Sequence, residues 1–243
     1  MKDQKLDKQK ILFVTCVNDE SLYDICVKHI KNLSVPENVK VEFLPVREAR
    51  SLAEGYNSAL NHDAKYKVYL HQDVFILNTN FIHEVMEVFQ NNPRLGLFGV
   101  AGTRSLPNNG VWWEAKDQDL IGKVIGFVKD TYVMLRLQEC EKEYEPVESL
   151  DGLIMVTQYD IPWRSDLFKG FHFYDASQSA EFLERGYDVG VVRQREPWCL
   201  HYHKNHFDQT EYRLNQKQFL RHYLKRNITD ERELDFVVSP MYY

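Results

Sequence analysis

Residues 68–76 read VYLHQDVFI. The two ends of the stretch are apolar or aromatic, as in a buried strand, yet His71, Gln72 and Asp73 interrupt it at the centre. Three polar side chains without partners in mid-core would cost several kcal/mol, so an unbroken buried strand is a poor solution for this sequence. In open α/β sheets, ligands bind beyond the carboxyl ends of the strands. If the strand ends at His71, the polar residues stand at that edge and face a crevice. Asp73 is then a hard oxygen donor suited to Mg2+ or Mn2+ beside a substrate phosphate. The spacing alone leaves a second reading open, in which Asp73 caps a turn and His71 packs under a helix.

The neighbouring segments supply the sheet. KILFVTCV (10–17) is a near-continuous apolar run, the mark of a strand buried on both faces. A helix follows, with Ser21-x-x-Asp24 as its capping box, and VKVEFLPV (39–46) is a second strand. Ser51-x-x-Glu54 opens another helix, and Asn80 is placed to cap a third that ends before Pro93. LGLFGVAG (95–102) is a further apolar strand. This alternation predicts an α/β fold, with a mixed, mostly parallel sheet between helices on both faces. No GxGxxG follows the first strand, so the dinucleotide fingerprint is absent.

Residues 103–150 break the alternation with PNNG, WWEAKDQD, two weakly patterned strands and an acidic stretch. They read as an insertion or irregular flap. Regular patterning returns with DGLIMVTQ (151–158), a short helix near 176–186, YDVGVV (187–192) and an amphipathic helix within 208–226. One domain over 1–243 is expected, with a core at 10–205. The last helix offers its apolar face either to that core or to a second copy of the chain.

Bulk properties narrow the class. The 243 residues are 44% hydrophobic and 27% charged, with a formal net charge of −6, which argues against a general nucleic-acid binder. The N-terminus MKDQKLDKQK has no apolar h-region, and no window reaches 18 consecutive apolar residues. Cys16, Cys26, Cys140 and Cys199 lack CxxC spacing and are expected as reduced thiols. A cytoplasmic protein without a transmembrane segment is expected.

Three further groups could carry chemistry, each with a plainer reading beside it. His201 and His203 lie two apart, so on a strand they share a face, with His206 close behind; imidazole ligates transition metals, but an exposed His-rich loop would look the same. Asp175 follows an aromatic run where a helix opens, as a general base in a pocket or as an N-cap. Trp112 and Trp113, in a Gly/Asn-rich loop, suit a sugar-stacking platform or the anchor of a flap. No GxSxG supports nucleophilic hydrolysis.

The order of these segments along the chain is their specific part. An apolar strand ending in TCVNDE, the GYNSAL helix, a strand running into HQDV, DGLIMV, FYDASQSAEFLERGYDVGVV and a late HYH together resemble the family 2 glycosyltransferases of GT-A fold. The likeness is to a small bacterial branch related to a streptomycin-biosynthesis protein and spans roughly 10–205. It implies a three-layer α/β/α, Rossmann-like nucleotide-diphospho-sugar transferase. The implied activity moves a sugar from a UDP-, GDP- or dTDP-sugar to the hydroxyl of a glycan or small-molecule acceptor, with inversion and the help of Mn2+ or Mg2+.

The resemblance also implies roles. Thr15, Val17, Asn18 and Glu20 fall where the first strand grips the nucleoside, and Asn57 where a helix packs near the nucleotide. Asp73 matches the last acid of the metal-binding motif, Gln72 a neutral donor-site contact, and His71 a packing residue. Asp151 and Gly152 match the strand start lining the donor-sugar and acceptor pocket, to which Trp112 and Trp113 are assigned on their own reading as a sugar-stacking platform. Asp175 matches the catalytic base, and His201 or His203 a late residue closing the metal shell. The sequence departs from the family in having one carboxylate in HQD. The usual acidic pair after the second strand reads Arg47-Glu48 here, with Arg47 placed to meet a phosphate or base. Tyr174 precedes Asp175 in place of Glu. The thin HQD motif keeps two competitors open, a nucleotide-sugar or glycan binding module without turnover and a metal-dependent hydrolase. Acceptor specificity is expected in 103–150.

Overall fold

The stretch 68–76 is two strands in two different sheets. The computed structural model describes residues 6–128, 130–202, 207–226, 228 and 231–236. Its strands are β1 (Asp7–Val17), β2 (Lys40–Arg47), β3 (Ala64–Leu70), β4 (Val74–Ile76), β5 (Leu95–Gly99), β6 (Ala101–Thr103) and β7 (Leu120–Val128). They continue with β8 (Thr131–Arg136), β9 (Tyr144–Pro146), β10 (Ser149–Leu150), β11 (Ile154–Thr157), β12 (Asp188–Val192) and β13 (Cys199–His201). The α-helices are α1 (Glu20–Lys31), α2 (Leu52–Asn57), α3 (Phe81–Asn91), α4 (Tyr174–Glu184) and α5 (Gln209–His222).

The large sheet has seven strands in the order β2-β1-β3-β11-β5-β12-β9. β1 is parallel to β2 and β3, and β12 is parallel to β5, while β11 runs antiparallel between β3 and β5. The second sheet runs β10-β6-β7-β13-β4, with β8 on β7. The chain changes sheet repeatedly, among other places through His71-Gln72-Asp73 between β3 and β4 and through Val100 between β5 and β6. The polar interruption in VYLHQDVFI therefore lies at the seam between the sheets, and its cost in mid-strand never arises.

Alternation along the central strands sends side chains to two separate cores. Ile11, Phe13, Val68, Phe98 and Val156 pack with Cys26 and Ile30 of α1 and Phe81, Val85 and Phe89 of α3. Leu12, Val14, Tyr69, Leu97 and Met155 face the other way, onto Ala53 and Tyr56 of α2 and Tyr174 and Phe182 of α4. This is the expected three-layer arrangement. The four cysteines are free thiols, and among the described residues no helix is long and apolar enough to cross a membrane.

Several local expectations are corrected. α1 starts before Ser21, because Asp19 is its N-cap and accepts from the Ser21 and Leu22 amides. Only half of the second capping box forms: Ser51 Oγ accepts from the Glu54 amide, whereas the Glu54 carboxylate pairs with Arg50. Asn80 sits at the N-cap of α3 without a side-chain cap bond. The segment 103–150 is more than a flap, since its β7 joins β6, β13 and β8 in the second sheet.

α5 docks through a third apolar cluster, in which Tyr212, Phe219 and Leu220 meet Phe168, Phe173 and Val111. A polar knot fastens its far end to α4. Glu181, 4% exposed, receives Arg164 at 3.0 Å, Arg185 at 2.6 Å and the Tyr223 hydroxyl at 2.6 Å. Burial acts to raise the Glu181 carboxyl, but the Tyr223 hydroxyl and the two guanidiniums outweigh it and hold it below its ordinary value. Stability from this group is present above the unfolded carboxyl value and is lost as pH falls through the depressed folded one. Glu181→Gln is expected to cost about 2 kcal/mol at pH 7 in urea unfolding, the lower side of a broken buried charge network because the arginines reach water. The difference from wild type should close as pH falls below about 4.

Candidate active site at the sheet seam

A cavity of about 480 Å3 opens at the carboxyl ends of β1, β2 and β3. The end of β1 brings Val17 and Asn18, the seam brings His71, Gln72 and Asp73, and β13 brings His201. The start of α4 brings Asp175, and α5 closes the far side with Asp208, Glu211 and Tyr212.

Gln72 makes the seam rigid. Its Oε1 accepts from the amides of Asn18 and Asp19, both at 2.9 Å, and its Nε2 donates to Asn18 Oδ1. These bonds satisfy backbone donors where β1 ends and fix that end to the end of β3. Gln72 is thus a clamp between strands, although it also lines the cavity.

Pairing of β4 with β13 sets His201 opposite Val74 and beside Asp73, and the Tyr202 amide donates to the Asp73 carbonyl. His201 Nε2 is 3.5 Å from Asp73 Oδ1, and both side chains are buried. Ligand atoms of His71, Asp73 and His201 lie within 4.8 Å of one another. Two imidazoles and a carboxylate are a donor set that a transition-metal cation accepts, so these residues fit a divalent cation. Burial acts to lower the His201 imidazole, but Asp73 and Asp151 outweigh it and raise it above its ordinary value. His71 belongs to this group and is not merely a packing residue: its Nε2 is 2.5 Å from the Tyr174 hydroxyl.

Asp175 lies across the cavity. It sits in the first turn of α4, where Phe173 holds the N-cap position with φ 60° and no side-chain cap bond. So Asp175 is not the N-cap. Its Oδ2 accepts from the Gly152 amide at 3.0 Å and its Oδ1 from the Ala176 amide. Burial, and then the neighbouring Asp151 carboxylate, push it up to about 7 against those backbone donors. Asp151 is also raised by burial, with His201 opposing. Its Oδ2 is buried without a hydrogen-bond partner, and Asp151 lines the cavity. Gly152 serves close approach, since a Cβ there would lie 1.9 Å from the Tyr174 hydroxyl.

Among the described lining residues are six carboxylates (Glu48, Asp73, Asp151, Asp175, Asp208 and Glu211) and no lysine or arginine. Of the residues singled out in the sequence, Val17, Asn18, Gln72, Asp73, Trp112, Trp113, Asp151, Asp175 and His201 line the cavity. Trp112 is buried and Trp113 half-buried against Tyr212 at 5.6 Å. Thr15, Glu20, Arg47, Asn57 and Gly152 are not among its lining residues. Thr15 is buried within β1. Glu20 and Arg47 pair with each other at 2.7 Å in solvent. Asn57 exchanges hydrogen bonds with the Trp163 backbone. His203 and His206 lie outside the described residues.

The largest omission from the sequence reading is α5. Glu211 accepts from the Phe171 amide at 2.7 Å and lies against Gly170, where a Cβ would come within 2.2 Å of its carboxyl carbon. Gly170 also has φ +79°, so only glycine suits both demands. The first turn of α5 thereby holds the loop that delivers Tyr174 and Asp175. The available signal was Asp208-x-x-Glu211, a capping pattern whose Asp208 does cap α5.

The fold has a known counterpart. A mannosyltransferase from Pyrobaculum calidifontis, PcManGT, solved in complex with GDP-Man and Mn2+, superposes with a TM-score of 0.50 at 12% identity. The match covers 98% of this chain and 68% of that one, and at this identity it speaks for the GT-A fold alone. No curated protein sequence matches the chain. A glycosyltransferase-like family profile matches residues 12–223, which takes in α5 as well as the seam. The chain belongs to that glycosyltransferase-like family.

Proposed function

We propose that this protein transfers a sugar from a nucleoside-diphosphate sugar to an acceptor hydroxyl with inversion. In this reading Asp175 is the general base, and His71, Asp73 and His201 hold a divalent cation. One observation carries it: a carboxyl raised to about 7 shares a single cavity with a three-residue donor set. A group poised near neutrality can take a proton at physiological pH, which favours turnover over a binding module. The GDP-Man and Mn2+ bound by the structural counterpart make GDP-sugars the first donors to test.

A diphosphate carries charge that the described lining residues, rich in carboxylates and without lysine or arginine, would repel. When bound, a cation would neutralise the charge on the leaving diphosphate. Mn2+ suits the two imidazoles better than Mg2+, which takes oxygen donors and keeps its waters. The chain's own part is positional. Gln72 holds the end of β1 beneath the nucleoside, and the Gly152 amide aims the Asp175 carboxylate. Asp175 takes the proton as the acceptor oxygen attacks the anomeric carbon. Trp113, Phe207 and Tyr212 form the acceptor wall, so the 103–150 segment contributes to acceptor choice through its tryptophans. Free thiols fit a reducing compartment such as the cytoplasm.

Thermal shift with GDP-, UDP- and dTDP-sugars, with and without Mn2+, tests donor and cation together. A donor at 100 times its Kd should add roughly 2.7 kcal/mol, and Asp73→Asn should remove the Mn2+-dependent part. No shift with any nucleotide under either condition would end this reading, and a surviving Mn2+ increment in the variant would displace the cation from Asp73.

Asp175→Asn should retain donor binding and slow transfer by about a hundred- to ten-thousandfold. It should also stabilise the fold at neutral pH. The folded carboxyl titrates near 7 and the unfolded one near 4, so its stability contribution is complete below about 4 and disappears as pH rises through 7. The variant should therefore gain on wild type between those values, by at most about 4 kcal/mol and less where cavity water screens the charge. Equal melting curves for the two proteins at pH 8 would contradict the raised carboxyl.

A further inference from the structure

The β7–β8 hairpin ends the second sheet in an unusual edge. β8 pairs with β7 over Lys123–Val128 and Thr131–Arg136, and among the described residues no strand pairs its outer side. Native edges are normally shielded by charges, proline or a bulge. Here the sequence is TYVML, with Tyr132 59%, Val133 39% and Met134 41% exposed. Charge is confined to its flanks, at Lys129, Asp130 and Arg136.

The register decides what this edge can accept. Val128 pairs with Thr131 across a two-residue connection, whose closing pair exchanges both hydrogen bonds in tight hairpins. Counting on from it, Thr131, Val133 and Leu135 direct their amides and carbonyls at β7. Tyr132 and Met134 direct theirs outward. A second β8 approaching antiparallel must bond through the same outward residues, and one register that does so sets Tyr132 opposite Met134 of the other copy and Val133 opposite itself. In that register the turn residue Asp130, at φ 60° just before β8, comes level with Arg136 of the other copy, twice, once on each side of the two-fold axis. Tyr132 against Met134 is a favourable sulfur–aromatic pair. A shift of two residues would lose both ion pairs.

We propose that the protein self-associates as a two-fold dimer through antiparallel pairing of β8 with β8 of a second copy, centred on Val133. The second sheet then runs continuously through both subunits. The interface is isologous, as a two-fold requires. It is also short beside standard interfaces, so the dimer dissociates on dilution.

Sedimentation velocity over a dilution series is the test, with far-UV circular dichroism to confirm folding. Wild type should pass from dimer to monomer on dilution. Met134→Pro removes an outward amide that β7 does not use, and it should remain monomeric while folded. Asp130→Arg and Arg136→Asp should each weaken the dimer by setting like charges face to face, and the double variant, with the charges exchanged, should recover it. A wild-type monomer at every concentration would overturn the proposal. So would a dimer that survives Met134→Pro, a double variant no better than either single, or co-flotation of the monomer with liposomes that is lost on Tyr132→Ser, which would make the hairpin a membrane contact.

Discussion

Everything in the cavity depends on β3 stopping at Leu70. Because the chain leaves the large sheet there and enters the second at Val74, three residues stand between the two sheets. Gln72 spends its amide on the end of β1, so the seam is held by neutral hydrogen bonds. His71 and Asp73 are left on the cavity side, and β13, brought in antiparallel by β4, adds His201. The sheet change that removes a cost in the core is the same event that assembles the donor set.

The opposite wall is built with strain. Phe173 is a bulky residue at φ 60°, a conformation that persists only where surrounding structure over-determines it. Its ring is packed against Tyr212 at 4.9 Å and Phe219 at 5.4 Å of α5, while Glu211 clamps the loop just before it. α5 is in turn tied to α4 by the Glu181 knot. The candidate base thus owes its position to a helix about 35 residues further along the chain. The Tyr174–His71 contact joins this wall to the seam, so the candidate base and the candidate cation site are not independently placed.

Much of this was legible in the residues. The apolar runs at 10–17 and 95–102 and the HQD break are local signals, and they located the sheet and its polar edge, although the single strand expected over 95–102 is two strands in two sheets. Asp73, Asp175 and His201 were each ambiguous alone and were lifted by their order along the chain. Thr15, Glu20, Arg47 and Asn57 fared differently, because proximity in sequence to the edge does not decide which way a side chain turns. Glu20 and Arg47 found each other in solvent, and Asn57 found a backbone segment more than a hundred residues away. His71 and α5 were passed over for a related reason: neither carries a signal until its distant partner, Tyr174 or the 170–173 loop, is in place.

The sequence by itself determined the α/β class, the strand that ends early and the presence of carboxylates and imidazoles that needed partners. These follow from hydrophobic periodicity and from the cost of burying polar groups, both properties of short windows. Only the tertiary structure decided that the chain changes sheet repeatedly, that β7 is a member of the second sheet, and that α5 closes the cavity. It also decided that the Asp151 and Asp175 carboxyls are raised, since their burial and their approach to one another are set by packing between residues far apart in the chain. Long-range pairing of this kind leaves no periodic trace in the sequence, and it is what turns an expensive interruption at residues 71–73 into a site.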